Sequence, residues 1–378
     1  MRTSTALLVA LFAPALAGQT VWPVPDGQPV DPFIAAAAPG DILLLASSHP
    51  PFDLDKGLTI FGLGTGVTGT QIGGFQSMNF NVPAGQRATL ANCSLALYSW
   101  TGTVPTGLIV NGRVAIANVT SASLIAVNGE SIIERVSVAS GGLIVGGICS
   151  VTDSVLRGSD LRHAFFWIGP TPGLIASGIV VASNVTVIGG SGGTTSSGSM
   201  DSAAAVEVSS GGTLWLTDST INGGAGGPSH AGGVALASAA ATSIARTSLI
   251  DGAGAMRPSY GYQHVPAMVG MHCAAPPTRG SLFQAEAIAG NSQGPLVIVA
   301  GLDRTANAYS SPFAEPLFGF PGQYVTLALA VPAPATRVPV NVLVPNIAAS
   351  LGIEVWVQAV QISGSEIRAS ALVGGAIR

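Results

Sequence analysis

The densest run of ionisable side chains in the middle of this 378-residue chain is Asp160-Leu161-Arg162-His163. In an extended segment Asp160 and Arg162 share one face, and an imidazole beside them can move a proton near neutral pH. Asp160, Arg162 and His163 are therefore the residues nominated for catalysis, if the chain catalyses anything. Gly158-Ser159 before them and Phe165-Phe166-Trp167 after them also fit a plain connecting loop. Asp53-Leu54-Asp55 offers a second pair of carboxylates on one face, suited to calcium or glycoside hydrolysis. Its flanks, Pro50-Pro51 and Lys56-Gly57, point instead to a solvated turn. His264, Met268, Met271, His272 and Cys273 are soft-ligand types that suit copper. Their spacing matches no metal motif, and Pro266 disfavours a single helix presenting them. No metal and no cofactor is expected. No Ser-His-Asp set, phosphate loop or dinucleotide fingerprint is recognisable.

The elements that must position these residues read as follows. Residues 1–17 form a secretory leader: Arg2, an apolar run from Ala6 to Leu16, and an Ala15-Leu16-Ala17 cleavage pattern. A secreted or cell-surface location follows, with no later apolar run that reads as a bilayer span. Charged residues are only 8% of the chain while hydrophobic ones are 48%, which excludes disorder. The 50 glycines call for many tight turns. A net charge of −4 with a single lysine, Lys56, argues against nucleic acid as a partner. Three cysteines, Cys93, Cys149 and Cys273, are too few for a disulfide scaffold. Which of them pair, if any, is open; Cys93 and Cys149 read as small buried hydrophobes.

One phrase recurs along the chain: an apolar residue, any residue, then Asn, Asp or Arg, then a short pair rich in Ser, Thr and Val. Its third positions are Asn92, Asn118, Arg135, Asp153, Asn184, Asp218 and Arg246. They are separated by 26, 17, 18, 31, 34 and 28 residues. A β-solenoid tolerates such unequal spacing because each coil can carry its own loop. A β-propeller would keep a steadier period. Asn tolerates the left-handed corner such a coil needs. Asn92, Asn118 and Asn184, stacked in one slot, would form a partial amide ladder that Arg135 and Arg246 interrupt. The same three asparagines fit the glycosylation pattern, but their place in the phrase points to structural use. Before the coils, in the stretch from Phe33 to Leu45, the four alanines Ala35 to Ala38 form a short helical turn that Pro39-Gly40-Asp41 stops, a cap for an open solenoid end.

From about Ile34 to Ile250 the chain resembles the pectin-lyase-like right-handed β-helix superfamily. The Ala-Ala-Pro-Gly-Asp-Ile segment at 37–42 and the Val206–Thr220 coil, with its Gly-Gly turn, carry the likeness. The resemblance implies an all-β right-handed parallel β-helix (a solenoid). Hydrolases of that superfamily carry Asn-x-Asp, Asp-Asp, Gly-His-Gly and Arg-x-Lys, and none of these stands here. The expected function is a secreted or cell-surface β-helix protein without evident catalysis, for adhesion or carbohydrate contact. Its expected partner is a polysaccharide or cell-surface glycan. The alternative is a carbohydrate-active enzyme, a polysaccharide lyase or glycoside hydrolase, working through Asp160, Arg162 and His163.

After Gly252 the texture changes, with methionines, tyrosines and prolines crowding as far as Ser281. Strands are expected at Tyr324–Leu329, Val338–Val344, Ile353–Ile362 and Glu366–Val373. They suggest a small C-terminal β-sandwich, similar to modules found on secreted bacterial proteins. The expected organisation is a leader over 1–17, a capped β-helix over 18–305 and a β-sandwich over 306–378.

Overall fold

The computed structural model describes residues 6–7, 19–65, 69–97, 106–160, 162–163, 167–195, 198–291, 293–301, 308–309, 317–318, 324–346, 352–363 and 366–378. It is nearly all β with long parallel sheets, an arrangement compatible with a β-helix. Among the described residues there is one α-helix, Asp31–Ala36. Pro32 stands in its first turn, where a missing N–H costs nothing. Ala37 is already extended, and Gly40 turns the chain at a φ of 94°. Val30, Ile34 and Ala37 lie on the first coil and belong to the core. Asp41 fixes this corner by accepting from Thr20 N at 2.8 Å, Trp22 Nε1 at 2.9 Å and Ala38 N at 2.9 Å.

The recurring phrase is the repeat unit. Its strands stack in parallel, in register, from Ala88–Leu97 through Val114–Ser121, Glu130–Val138, Ile148–Thr152, Ile179–Ser183 and Thr213–Thr217 to Ala241–Ala245. Leu90, Ile116, Ile133, Val151, Ala182, Leu216 and Ile244 fall in one inward row, and all are buried in a single core. A second parallel run, Val155–Arg157, Thr186–Ile188, Thr220–Asn222 and Ser248–Ile250, follows after the corner. A separate seven-stranded parallel sheet runs from Met78–Asn81 to Leu236–Ser238.

All seven third positions of the phrase are left-handed, with φ between 48° and 55°. The ladder is partial, as expected. Asn118 Nδ2 donates to Asn92 Oδ1 at 2.6 Å, and Asn184 Nδ2 donates to Asp153 Oδ1 at 2.7 Å. A further ladder, Asn81–Asn111–Asn128, lies outside the phrase. At the opposite corner stands a column of glycines. A Cβ at Gly129, Gly147 or Gly178 would strike the carbonyl oxygen of the glycine one coil before it, so only glycine fits.

The chain leaves the stack after Gln263–His264, which pairs with Ser243 and Ile244. From there the pairing is antiparallel. Arg337–Leu343 pairs with Leu282–Ile288, which pairs with Gly270–Cys273. Leu296–Gly301 lies between Tyr324–Ala330 and Glu354–Ser363. Glu366–Ala369 and Val373–Ala376 both pair with Glu354–Ser363. Three of these strands precede residue 306, so the antiparallel part reaches back to Gly270. Leu282–Ile288 alternates exposed and buried residues and Leu296–Gly301 buried and half-buried ones, a period that the prolines and methionines around them obscure in the sequence. The two antiparallel sheets share a second core that includes Met271, Phe283, Ile298, Val340 and Val357. Ala6–Leu7 pairs in parallel with Val342 and Leu343. The other leader residues lie outside the described residues.

The antiparallel part covers the outer face of the phrase strands. Trp356, Ala371 and Leu372 pack on Ala115, Ile132 and Val181, and Ala376 packs on Ile42, Phe61 and Ala91. Where it is covered, both faces of that sheet are buried, so its outward positions there hold mostly Ala, Ile, Val, Ser and Thr. Among the described residues no helix is long and apolar enough to cross a membrane.

Candidate functional site

Asp160 stands just before a two-stranded hairpin in which Arg162 pairs with Ile168 and His163 with Trp167. Its Oδ2 accepts from Arg157 Nη2 at 2.9 Å, and its Oδ1 accepts from Ser191 N at 2.8 Å. Both bonds tie one inter-coil loop to neighbouring chain, the work of a loop staple. The side chains of Arg162 and His163 lie outside the described residues. Asp53 Oδ1 accepts from Asn79 N at 2.7 Å, while the intervening Leu54 is buried, so the Asp53-Leu54-Asp55 segment fastens a turn.

The five soft-ligand residues do not converge. His264 is exposed, edge-on to Tyr262. Met268 and Met271 are buried. His272 Nε2 lies 2.9 Å from Glu286 Oε2, which also takes Arg337 Nη1 at 2.8 Å. Burial pushes the Glu286 carboxyl up, but the bonds from Arg337 and His272 outweigh it and hold the group below its ordinary range. Cys273 turns the other way, into the seam between the two parts of the molecule. Cys93, Cys149 and Cys273 are all free thiols, and all are buried.

At that seam Glu134, Arg135, Asp153 and Cys273 form a buried polar cluster. Arg135 Nη1 donates to Glu134 Oε1 and, at 2.8 Å, to Cys273 Sγ; its Nη2 donates to the Gly374 carbonyl at 2.9 Å. Cys273 donates its S–H to Glu134 Oε1 at 2.9 Å, and its backbone N–H to Asp153 Oδ2 at 2.8 Å. Burial pushes Glu134 up to about 7, against the opposing pull of Arg135. Burial also raises Asp153 and drives the Cys273 thiol far up. Such a thiol is not a nucleophile. Glu134, Asp153 and Cys273 each bring a ligand-type atom within 4.8 Å of the others. The cation among them is already present as the Arg135 guanidinium, which would repel a metal ion, so the cluster is an internal hydrogen-bond network around Arg135.

The accessible chemistry lies on the seven-stranded sheet. Its outward row is Asn79, Ile109, Ala126, Ile144, Ile175, Glu207 and Ala237, with Tyr260 bridged to Ala237 at the end. Ala237 is small between two large neighbours, and the row drops there into a cavity of about 400 Å³. Asp201, Glu207, Met256, Arg257 and Tyr260 are among its walls. Arg257 lies 4.1 Å over the Tyr260 ring and donates to its hydroxyl at 2.8 Å. Asp251 sets the wall loop, accepting from Ser259 Oγ at 2.6 Å and Ala235 N at 2.7 Å. Burial pushes the Asp251 carboxyl up, and these bonds more than reverse it, leaving it below its ordinary value. Carboxylate acceptors, a guanidinium donor and an aromatic ring in one concavity suit a ligand rich in hydroxyls.

No family model, no curated protein and no solved structure matches the chain.

Sequence reasoning missed both groups for one reason: each joins residues from different coils. Glu134 nonetheless left a trace. The equivalent slots in the other copies hold Ala91, Ala117, Thr152, Ser183, Thr217 and Ala245, so a carboxylate is the odd member of its column. Glu207 left another, as the charged outward residue of Val206-Glu207-Val208.

Proposed function

We propose that this chain is an exported, non-catalytic scaffold: a right-handed parallel β-helix, flanked by a β-sandwich, that contacts a cell-surface glycan. The leader-like residues 1–17 support export. The left-handed corner column and the parallel runs support the β-helix, as does the resemblance to the pectin-lyase-like superfamily. The single observation carrying the glycan reading is the groove of Asp201, Glu207, Arg257 and Tyr260 at the end of the outward row. The outer face of the phrase strands is covered by the chain itself, whereas the outward row of the seven-stranded sheet is partly exposed and ends in this groove.

A second reading, a polysaccharide lyase or glycoside hydrolase, is favoured by the same groove, because it gathers two carboxylates and an arginine. Asp201, Glu207 and Arg257 are all exposed. A catalytic acid in such reactions is held by burial, so the scaffold reading is preferred.

The test is a panel of neutral and acidic polysaccharides, scored for binding to the full chain and for cleavage products. Binding without products is expected. Tyr260→Ala and Glu207→Gln should each weaken it about tenfold, or ~1.4 kcal/mol. Unchanged binding in both variants would remove the groove from the function. Cleavage products would replace the scaffold with the enzyme. Products lost on changing Asp160, Arg162 and His163 would place the chemistry there, and products lost on changing Asp201 and Glu207 would place it in the groove.

A further inference from the structure

We propose that Glu134 is a proton-binding site that sets how tightly the antiparallel part holds to the parallel stack, docking it when protonated and loosening it when ionised. The two parts have separate hydrophobic cores. Among the described residues, apolar patches join them around Trp356 with Leu372 and around Ala376. Polar bonds cross the seam as well. Thr152 Oγ1 donates to the Leu372 carbonyl at 3.0 Å, Leu372 N to Ser150 Oγ at 2.9 Å, and Met271 N to Ser183 Oγ at 3.1 Å. Docking is thus a step distinct from the folding of either core, and it depends on polar groups being satisfied at the seam.

Glu134 is the seam group for which docking matters most. It is fully buried, and its Oε2 has no hydrogen-bond partner. The cation bonded to it, Arg135, is divided among Glu134, Cys273 and the Gly374 carbonyl. Burying an ionised carboxylate with half its acceptor capacity unmet is costly. Taking a proton from solvent removes the charge and with it most of that cost. The groups facing Glu134 do not reverse this. On its own strand stands Arg135, and on the next coil Asp153, a second buried carboxyl raised in the same direction. From the antiparallel part come Cys273, held as the neutral thiol, and the Gly374 backbone N–H, whose downward pull on Glu134 is smaller than the upward push of burial. His272 acts on Asp153, and Arg378 adds positive charge near Arg135.

The docked carboxyl titrates at about 7, against 4.5 for the free group. A raised carboxyl binds its proton more tightly when docked. Its contribution is therefore complete below about pH 4.5 and lost as pH rises to about 7, weakening docking on the order of 50-fold between pH 5 and pH 8.

Hydrogen exchange on the full chain, corrected for intrinsic rates, reads this directly. Protection of the Met271, Cys273 and Leu372 amides should fall by about that factor from pH 5 to pH 8, relative to the Ile298 and Val299 amides in the second core. Glu134→Gln should flatten the dependence. A flat wild-type profile, or the same slope in Glu134→Gln, overturns the proposal. Carbon-13 titration of the Glu134 carboxyl in the wild-type protein decides the matter even if the variant does not fold. A midpoint above about 5.5 supports the site, and one below it refutes it.

Discussion

The left-handed slot of the phrase shows how one residue position is put to different uses. Asn92, Asn118 and Asn184 fill it at little conformational cost and bond along the stack. Arginine is a poorer occupant of that backbone, yet both arginines in the column reach across to the covering segment. Arg135 bonds the Gly374 carbonyl. Arg246 grips Asp218 with two bonds, of 2.6 and 2.9 Å, and the Met268 carbonyl at 3.0 Å. The cost of the corner is offset by contacts that only a long cationic side chain can make. Arg246→Ala should cost about 1–2 kcal/mol in urea unfolding, because the pair is partly exposed and the left-handed strain remains. Arg246→Asn should recover part of this by relaxing the corner. Equal losses in the two variants would show that the backbone conformation contributes nothing.

At the scale of the element, tight packing between coils decides which turns are permitted. Gly147 sits between two glycines of its column, with the Gly129 carbonyl where a Cβ would lie. Gly211 has only the Ser177 carbonyl, at 3.9 Å. Gly147→Ala should therefore cost about 2 kcal/mol or more in the unfolding midpoint, and Gly211→Ala should be close to neutral. A reversal of that order would mean that the coils do not stack at the spacing described. The strands themselves were legible from local pattern. The four expected near the C-terminus appear as Tyr324–Ala330, Arg337–Leu343, Glu354–Ser363 and Glu366–Ala369, with Val373–Ala376 split off as its own strand. The crowded methionines, tyrosines and prolines from Gly252 to Ser281 read as a transition, and residues up to 305 as part of the β-helix, whereas antiparallel strands begin at Gly270.

For the whole molecule, two cores and one seam set the stability. The coils share one continuous core, so they should melt together in calorimetry, and piecemeal loss of the region before Ile250 would contradict a single stack. The pH dependence has two limbs. Asp41, Asp251 and Glu286 are held below their ordinary values, so their contribution is present above pH 4 or so and lost in acid. Glu134 is raised to about 7, so its contribution fades from about pH 4.5 to 7. The thermal midpoint should be higher near pH 5 than at pH 3 or pH 8. A midpoint that climbs steadily from pH 5 to pH 8 would show that the buried carboxyl does not govern the seam.

By itself the sequence determined the all-β character, the seven corners, the partial ladder and the helical turn before the coils, because each rests on neighbours a few residues apart. It also determined that Cys93 and Cys149 are packing residues. Only the tertiary structure decided which sheet face is covered, that Glu134 is buried against Cys273 some 139 residues away, and that Asp201, Glu207 and Tyr260 line one groove. Those facts depend on how loops of unequal length bring coils into register and fold the antiparallel part back on them. No periodicity in the chain encodes that distance.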